Sequence, residues 1–196
     1  MKINIAVFAS GSGTNAENLI RYFRNNPTGK VKLVVSNKPD ALVLKRAENL
    51  GVESIVISGK DWQSPEKLIH ELKKRKIDII VLAGFLWLVP EKLIDAYSQR
   101  IINIHPALLP KYGGKGMYGD KVHEEVRRNR ETTTGITIHF VDKHYDNGKI
   151  IAQKTVEINP YIFSAGAIAK KIHELEYRWY PVIVEDIAKK ILNERS

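Results

Sequence analysis

Residues Ile77 to Ala83 run almost without a polar interruption, and Gly84 follows at once. A strand that is apolar on both faces needs a layer on each side, which is the setting of a parallel strand. The flanking sequence repeats the arrangement. Ile3 to Ala9 reads as a buried strand, and Asn15 to Arg24 carries Leu19, Ile20 and Phe23 at helical spacing. Val31 to Val35 is a β-branched strand, Ala41 to Leu50 a helix stopped by Gly51, and Val52 to Ile57 the next strand. Pro65 to Arg75 is helical, with Pro65 in the first turn and Leu68, Ile69 and Leu72 on one face. Pro90 to Tyr97 is a further helix and Arg100 to Ile104 a further strand. This alternation predicts an α/β fold with a doubly wound, mostly parallel, twisted sheet. Ligands in such sheets sit beyond the carboxyl ends of the strands, where Gly11, Gly84 and His105 all fall.

After His105 the pattern changes. Residues 106–118 form a loop rich in Pro and Gly, and Asp120 to Arg128 reads as a short helix. Thr132 to Val141 and Lys149 to Ile158 are β-rich and pair as a C-terminal antiparallel hairpin, connected by Asp142 to Gly148. A long C-terminal helix runs from Ser164 to about Leu192, with a bend or break before Pro181. With 196 residues and no repeat or linker, residues 1–196 read as a single domain.

There is no cysteine, which removes disulfides, thiolate nucleophiles and Cys-ligated metals and fits a reducing cytoplasm. No His/Asp/Glu spacing suggests a metal site; His105 and His123 are too far apart for one. The start of the chain is too short and too polar at Asn4 for a signal peptide, and no apolar run approaches membrane-spanning length. A cytoplasmic protein without a membrane partner is expected. The net charge is +9, its basic residues are spread along the chain, most of them on expected helix surfaces, and no aromatic–basic module for base stacking appears. Small molecules, not nucleic acid, are the expected partners, with the chain a monomer or homodimer.

Three stretches carry chemistry. Ser10-Gly11-Ser12-Gly13-Thr14-Asn15-Ala16 lies between the first strand and first helix and satisfies the dinucleotide pattern formally. The second strand, however, ends Val35-Ser36-Asn37-Lys38, with no acid for ribose hydroxyls, which argues against NAD. Small residues at a helix N-terminus suit a phosphate monoester better, the bland reading being an ordinary turn. Gly84-Phe85-Leu86-Trp87-Leu88-Val89-Pro90 is apolar beyond its strand and reads as a wall for a flat ligand or as core beneath the next helix. Asn103 and His105 are two apart at a strand end and share one face. An amide donor and an imidazole on one surface suit attack on a carbonyl with an oxyanion to hold, and an acid in a later loop can orient the imidazole. Asp146-Asn147-Gly148 supplies that acid, though alone it would read as a turn. His139 is core or a support for the site, and Glu176, at the edge of the last helix's apolar stripe, either finds a partner or ligand or snorkels to solvent.

Together these residues resemble the glycinamide ribonucleotide formyltransferase family, folate-dependent enzymes of purine synthesis. The likeness runs nearly the whole chain, most specifically through Asn103-Ile104-His105-Pro106-Ala107-Leu108-Leu109-Pro110 with the later Asp146, and also through Val81 to Phe85 and Gly135 to Val141. It implies a Rossmann-like formyltransferase fold and transfer of a formyl group from 10-formyltetrahydrofolate to the primary amine of 5-phosphoribosylglycinamide. On that resemblance Asn103 holds the formyl oxygen, His105 stabilises the oxyanion and donates a proton, and Asp146 raises the His105 pKa. Gly13, Thr14, Asn15 and Ala16 hold the phosphate and Glu176 meets the glycinamide. Leu86, Trp87, Leu88, Val89, Asn103, Asp142, Lys143, His144, Tyr145 and Asp146 line the pterin pocket, and no metal is implied. The chain departs from the family pattern at Trp87 and at the rim Gly113 to Gly119, and an Arg used by some members near the folate tail has no equivalent around Trp62 to Glu66. The same catalytic run occurs in methionyl-tRNA formyltransferases, sugar-nucleotide formyltransferases and formyltetrahydrofolate deformylase. Chain length favours the purine enzyme over the first and the last. A non-enzymatic phosphate-binding module is the alternative of a different class, and it leaves Asn103, His105 and Asp146 unexplained.

Overall fold

The computed structural model describes residues 2–195. Its strands are β1 (Ile3–Phe8), β2 (Gly29–Ser36), β3 (Glu53–Val56), β4 (Ile79–Leu82), β5 (Ile101–His105), β6 (Thr133–Phe140) and β7 (Ile150–Glu157). The helices are α1 (Thr14–Phe23), α2 (Leu42–Asn49), α3 (Gly59–Gln63), α4 (Glu66–Lys74), α5 (Glu91–Ala96), α6 (Asp120–Arg128) and α7 (Ala165–Asn193). One seven-stranded sheet has the order β3-β2-β1-β4-β5-β6-β7. β1 to β5 pair in parallel, and β6 and β7 join antiparallel. The doubly wound sheet, the terminal hairpin and the long last helix are therefore as the sequence predicts.

Strand alternation sorts the core into two layers. Ile3, Ile5 and Val7 of β1 pack with Leu19, Phe23, Tyr180 and Val184 on one face of the sheet. Ala6 and Phe8 face the other way, toward Trp62, Leu68, Leu72 and Leu93. β4 is fully buried along its length, which is why its sequence shows no alternation. The sheet order reverses beside β1, and the carboxyl ends of β1, β4 and β5 open there onto a cavity.

Two sequence expectations need correction. The last helix does not break at Pro181 but runs through it. Tyr180, fully buried, donates its hydroxyl to the Leu82 carbonyl at 2.8 Å and reaches that of Ile102 at 3.3 Å. Packing at this point outweighs the roughly 3 kcal/mol that an interior proline costs a helix. Pro65 is the cap preceding α4 rather than a residue of its first turn, and the short α3 before it was not anticipated.

Candidate active site

A cavity of about 670 Å³ lies at the carboxyl edge of the sheet. It is lined by the loop Gly11 to Asn15, the segment Leu82 to Val89, the end of β5 (Asn103 to Pro106), the rim Gly114 to Gly119, and His144 to Asp146. His123, His139, Val141, His173 and Glu176 complete its walls. Gly11, Gly84 and His105 thus share one cavity.

The centre is built on β5. Asn103 Nδ2 lies 3.4 Å from Asp146 Oδ1 and 3.1 Å from His139 Nε2. His139 stands opposite Asn103 in the β5–β6 register, and its Nδ1–H donates to the Phe140 carbonyl at 2.8 Å. Its Nε2 faces both the Asn103 amide and, at 3.7 Å, Asp146 Oδ1, so His139 supports the site rather than merely filling the core. His105 is 3 % exposed, with Nδ1 3.4 Å from Asp146 Oδ2 and Nε2–H donating to the Tyr112 carbonyl at 2.7 Å. The chain thus brings Asn103, His105 and Asp146 together across about forty residues of sequence.

Asp146 sits at φ 52°, a left-handed conformation uncommon for a residue with a side chain. Gly148 allows the loop to close behind it: a Cβ there would lie 1.8 Å from the Phe140 carbonyl oxygen. The Gly114 N–H donates to Asp146 Oδ2 at 3.0 Å. The rim that departs from the family pattern therefore touches this centre, supplying the Gly114 amide to Asp146, while Tyr112, just before it, gives its carbonyl to His105. Both contacts are made by backbone, so residue identity gave no direct sign of them.

The electrostatics correct one expectation. Burial pushes the His105 pKa down, and the opposing effects of the Asp146 charge and the Tyr112 carbonyl do not reverse it. Asp146 does act upward on His105, but the net direction in the free protein is downward. For Asp146, burial works to raise the pKa, yet His139, the His105 charge and the Gly114 amide together hold it below the usual carboxylate value.

The glycine-rich loop leads into α1, whose first turn no side chain caps. Gly13 takes φ 73°, and a Cβ on it would come within 2.4 Å of Val43, so the close approach of α2 also requires glycine. Gly13, Thr14 and Asn15 line the cavity as expected; Ala16 does not, because it is turned fully into the core. Glu176 is 5 % exposed and finds partners, accepting from Asn15 Nδ2 at 2.9 Å with His173 Nδ1 3.0 Å from the same oxygen.

On the opposite wall Leu86, Trp87, Leu88 and Val89 all line the cavity. Both readings of this stretch hold: Phe85 and Val89 are buried in the core, whereas Leu86 and Leu88 are exposed. Trp87 packs against Trp62 and Phe85. The Leu86 N–H donates to Ser10 Oγ, tying this wall to the glycine-rich loop. Of the later loop, His144, Tyr145 and Asp146 reach the cavity but Asp142 and Lys143 do not. The Asp142 carboxylate is spent within the loop, on the His144 N–H and the Asn147 amide. Among the described residues no group of three or more His, Cys, Asp or Glu is placed to hold a metal ion, and no helix is long and apolar enough to cross a membrane.

A glycine-rich loop at a helix start, an apolar wall and an amide–imidazole–carboxylate cluster meet at one sheet edge, the arrangement of a group-transfer site in a doubly wound α/β protein. Residues 3–184 match the formyl transferase family, and the chain belongs to that family. It is 36% identical over 187 residues to the phosphoribosylglycinamide formyltransferase of Bacillus subtilis, covering 93% of each chain. The phosphoribosylglycinamide formyltransferase of Bacillus halodurans superposes with a TM-score of 0.85 at 36% identity, over 96% of each chain. Glycinamide ribonucleotide transformylase 1 of Geobacillus kaustophilus gives the same TM-score and identity, over 95% of this chain and 98% of its own.

Proposed function

We propose that this protein is a phosphoribosylglycinamide formyltransferase, moving a formyl group from 10-formyltetrahydrofolate to the primary amine of 5-phosphoribosylglycinamide in purine biosynthesis. The observation that carries the reading is the meeting of Asn103, His105 and Asp146 in a cavity shared with the glycine-rich loop. The phosphate goes to Gly13, Thr14 and Asn15, whose helix start favours an anion. The folate ring goes against Leu86 to Val89 and His144 to Asp146.

The amine nitrogen attacks the formyl carbon, and the carbonyl electrons pass to oxygen. The Asn103 amide and the His105 Nε2–H stabilise that oxyanion, the latter once the Tyr112 carbonyl gives up its hydrogen bond. Loss of a proton from the amine and cleavage of the bond to folate nitrogen, which takes up a proton, complete the transfer. Asp146 favours the imidazolium as the reaction proceeds, because negative charge on the oxyanion adds to its own. The protein is read as acting on small molecules in the cytoplasm, with neither nucleic acid nor membrane as a partner.

A competition assay tests the acceptor. Purified protein with 10-formyltetrahydrofolate is offered phosphoribosylglycinamide, methionyl-tRNA, a sugar-nucleotide amine and water alone. Formylation of phosphoribosylglycinamide is the expected outcome; preferential turnover of any other acceptor overturns the reading.

A further inference from the structure

The glycine-rich loop is held from behind by α2. The Val43 N–H, in the first turn of that helix, donates to the Gly11 carbonyl at 3.2 Å. One turn on, Arg46 Nε donates to the Ser12 carbonyl at 2.8 Å. In a planar trans peptide the carbonyl and the following N–H point opposite ways. The Ser12 and Gly13 amides are therefore turned away from α2. Ser12 and Gly13 line the cavity and, among the described residues, none of α2 does, so the cavity lies on the side to which those amides turn. Successive amides aimed at one place form a seat for an anion. The guanidinium is itself fixed: Nη1 bonds Glu17 of α1, whose other oxygen accepts from Arg21 at 2.7 Å. The Glu17 N–H returns to the Gly13 carbonyl at 2.8 Å. Arg46 thus joins α2, the loop and α1, although it lines neither the cavity nor the transfer centre.

We propose that Arg46, braced by Glu17, is a positioning residue for the acceptor: it sets the Ser12 and Gly13 amides toward the phosphate before the ligand arrives. The inference rests on the acceptor reading above, which gives this loop the phosphate. Gly13 needs such a hold. Glycine loses more conformational freedom on folding than any other residue, so a peptide that ends in Gly13 gains most from an anchor on its carbonyl side. Val43 restrains Gly13 by filling the space of the absent Cβ, and Arg46 adds the direction of the N–H. The fork of the guanidinium matters here. It presents Nε to Ser12 and Nη1 to Glu17 in one plane, which an ammonium on a flexible stem does not do. The guanidiniums of Arg21 and Arg46 hold Glu17 below the usual carboxylate range, so the brace is ionised throughout neutral pH. A cation behind the loop would also attract a phosphate by its field alone. The two roles differ in what a lysine can replace.

Kinetics with phosphoribosylglycinamide and calorimetry with ribose 5-phosphate read the role, each variant being compared where its circular dichroism matches wild type. Arg46→Met should raise KM for phosphoribosylglycinamide about threefold to tenfold and weaken ribose 5-phosphate by the same factor, as suits hydrogen bonds of a partly exposed guanidinium. Its kcat and its KM for 10-formyltetrahydrofolate should be unchanged. Arg46→Lys keeps the charge, loses the fork and should be nearly as impaired. Arg21→Met takes a cation from the same carboxylate without a contact to the loop, and should bind as wild type does. Glu17→Met removes a negative charge near the loop together with the brace, and should weaken the probe. Full rescue by Arg46→Lys, an equal loss in Arg21→Met, tighter binding in Glu17→Met, or a fall in kcat with KM unmoved overturns the inference. If wild type formylates phosphoribosylglycinamide but Arg46→Met keeps its KM and its ribose 5-phosphate affinity, this inference alone fails. If the ribose 5-phosphate series holds but the amine is not formylated, the acceptor reading alone fails.

Discussion

The cavity contains two histidine–carboxylate pairs with opposite behaviour. At the end of β5, His105 faces Asp146 at 3.4 Å with only 4 % of its side chain exposed, and its pKa is pushed down. On α7, His173 meets Glu176 at 3.0 Å with 51 % of its side chain exposed, and its pKa is pushed up. The carboxylate acts in the same direction in both pairs. Burial is the largest effect on His105, whereas on His173 the hydrogen bond to Glu176 is the largest and outweighs burial. One ring is therefore held toward its neutral form and the other toward its charged form.

The largest test separates their roles in turnover. Asn103→Ala, His105→Ala and Asp146→Ala should each lower kcat by about 10²- to 10⁴-fold in a formyl-transfer assay, with the circular dichroism of the fold retained. His173→Asn should act on KM for the ribonucleotide instead. A kcat loss of equal size at His173 would break the comparison.

The next sharpens the electrostatic account. Asp146→Asn should lower the His105 pKa further, read from imidazole NMR shifts against pH. An unchanged or higher value would mean that burial alone sets it.

Stability against pH should carry opposite signs for the two pairs. The folded-state pKa of His105 lies below its unfolded value near 6.5. Its neutral burial therefore costs stability as pH falls below that value, and His105→Asn should show a shallower acid loss in denaturant titrations. His173 has a raised folded-state value. Its contribution is present below the unfolded value and fades as pH rises through the folded one, so His173→Asn should flatten that upper slope. The same sign in both variants would contradict the shifts.

The smallest effect expected is at the shared floor beneath the two pairs. Tyr180→Phe removes a buried hydroxyl that serves the carbonyls of β4 and β5, and should cost about 1 kcal/mol of unfolding free energy. A loss near zero would show that those carbonyls relax onto other donors.

Much of this was legible in the chain. Periodicity and apolar runs gave the parallel sheet because β4, buried on both faces, cannot be written in alternating residues. Asn103, His105 and the glycine-rich loop were legible because strand parity and strand ends are local properties. Asp146 was legible only as a candidate, since an Asp-Asn-Gly turn is common anywhere. The parts that were missed rest on contacts between distant segments. The Tyr112 carbonyl and Gly114 amide act through backbone, which no side-chain pattern marks. Ala16 and Asp142 have plausible residue types, but one faces the core and the other is consumed inside its loop.

By itself, then, the sequence determined the layers of the fold, the sheet edge where the cavity opens and the candidate residues gathered there, because those follow from local periodicity and from which residues end strands. Only the tertiary structure decided which histidine is shut from water and which stands beside the glycine-rich loop. Burial and hydrogen-bond geometry are properties of the packed whole, and together they set the two histidine–carboxylate pairs in opposite directions although their side chains are chemically alike.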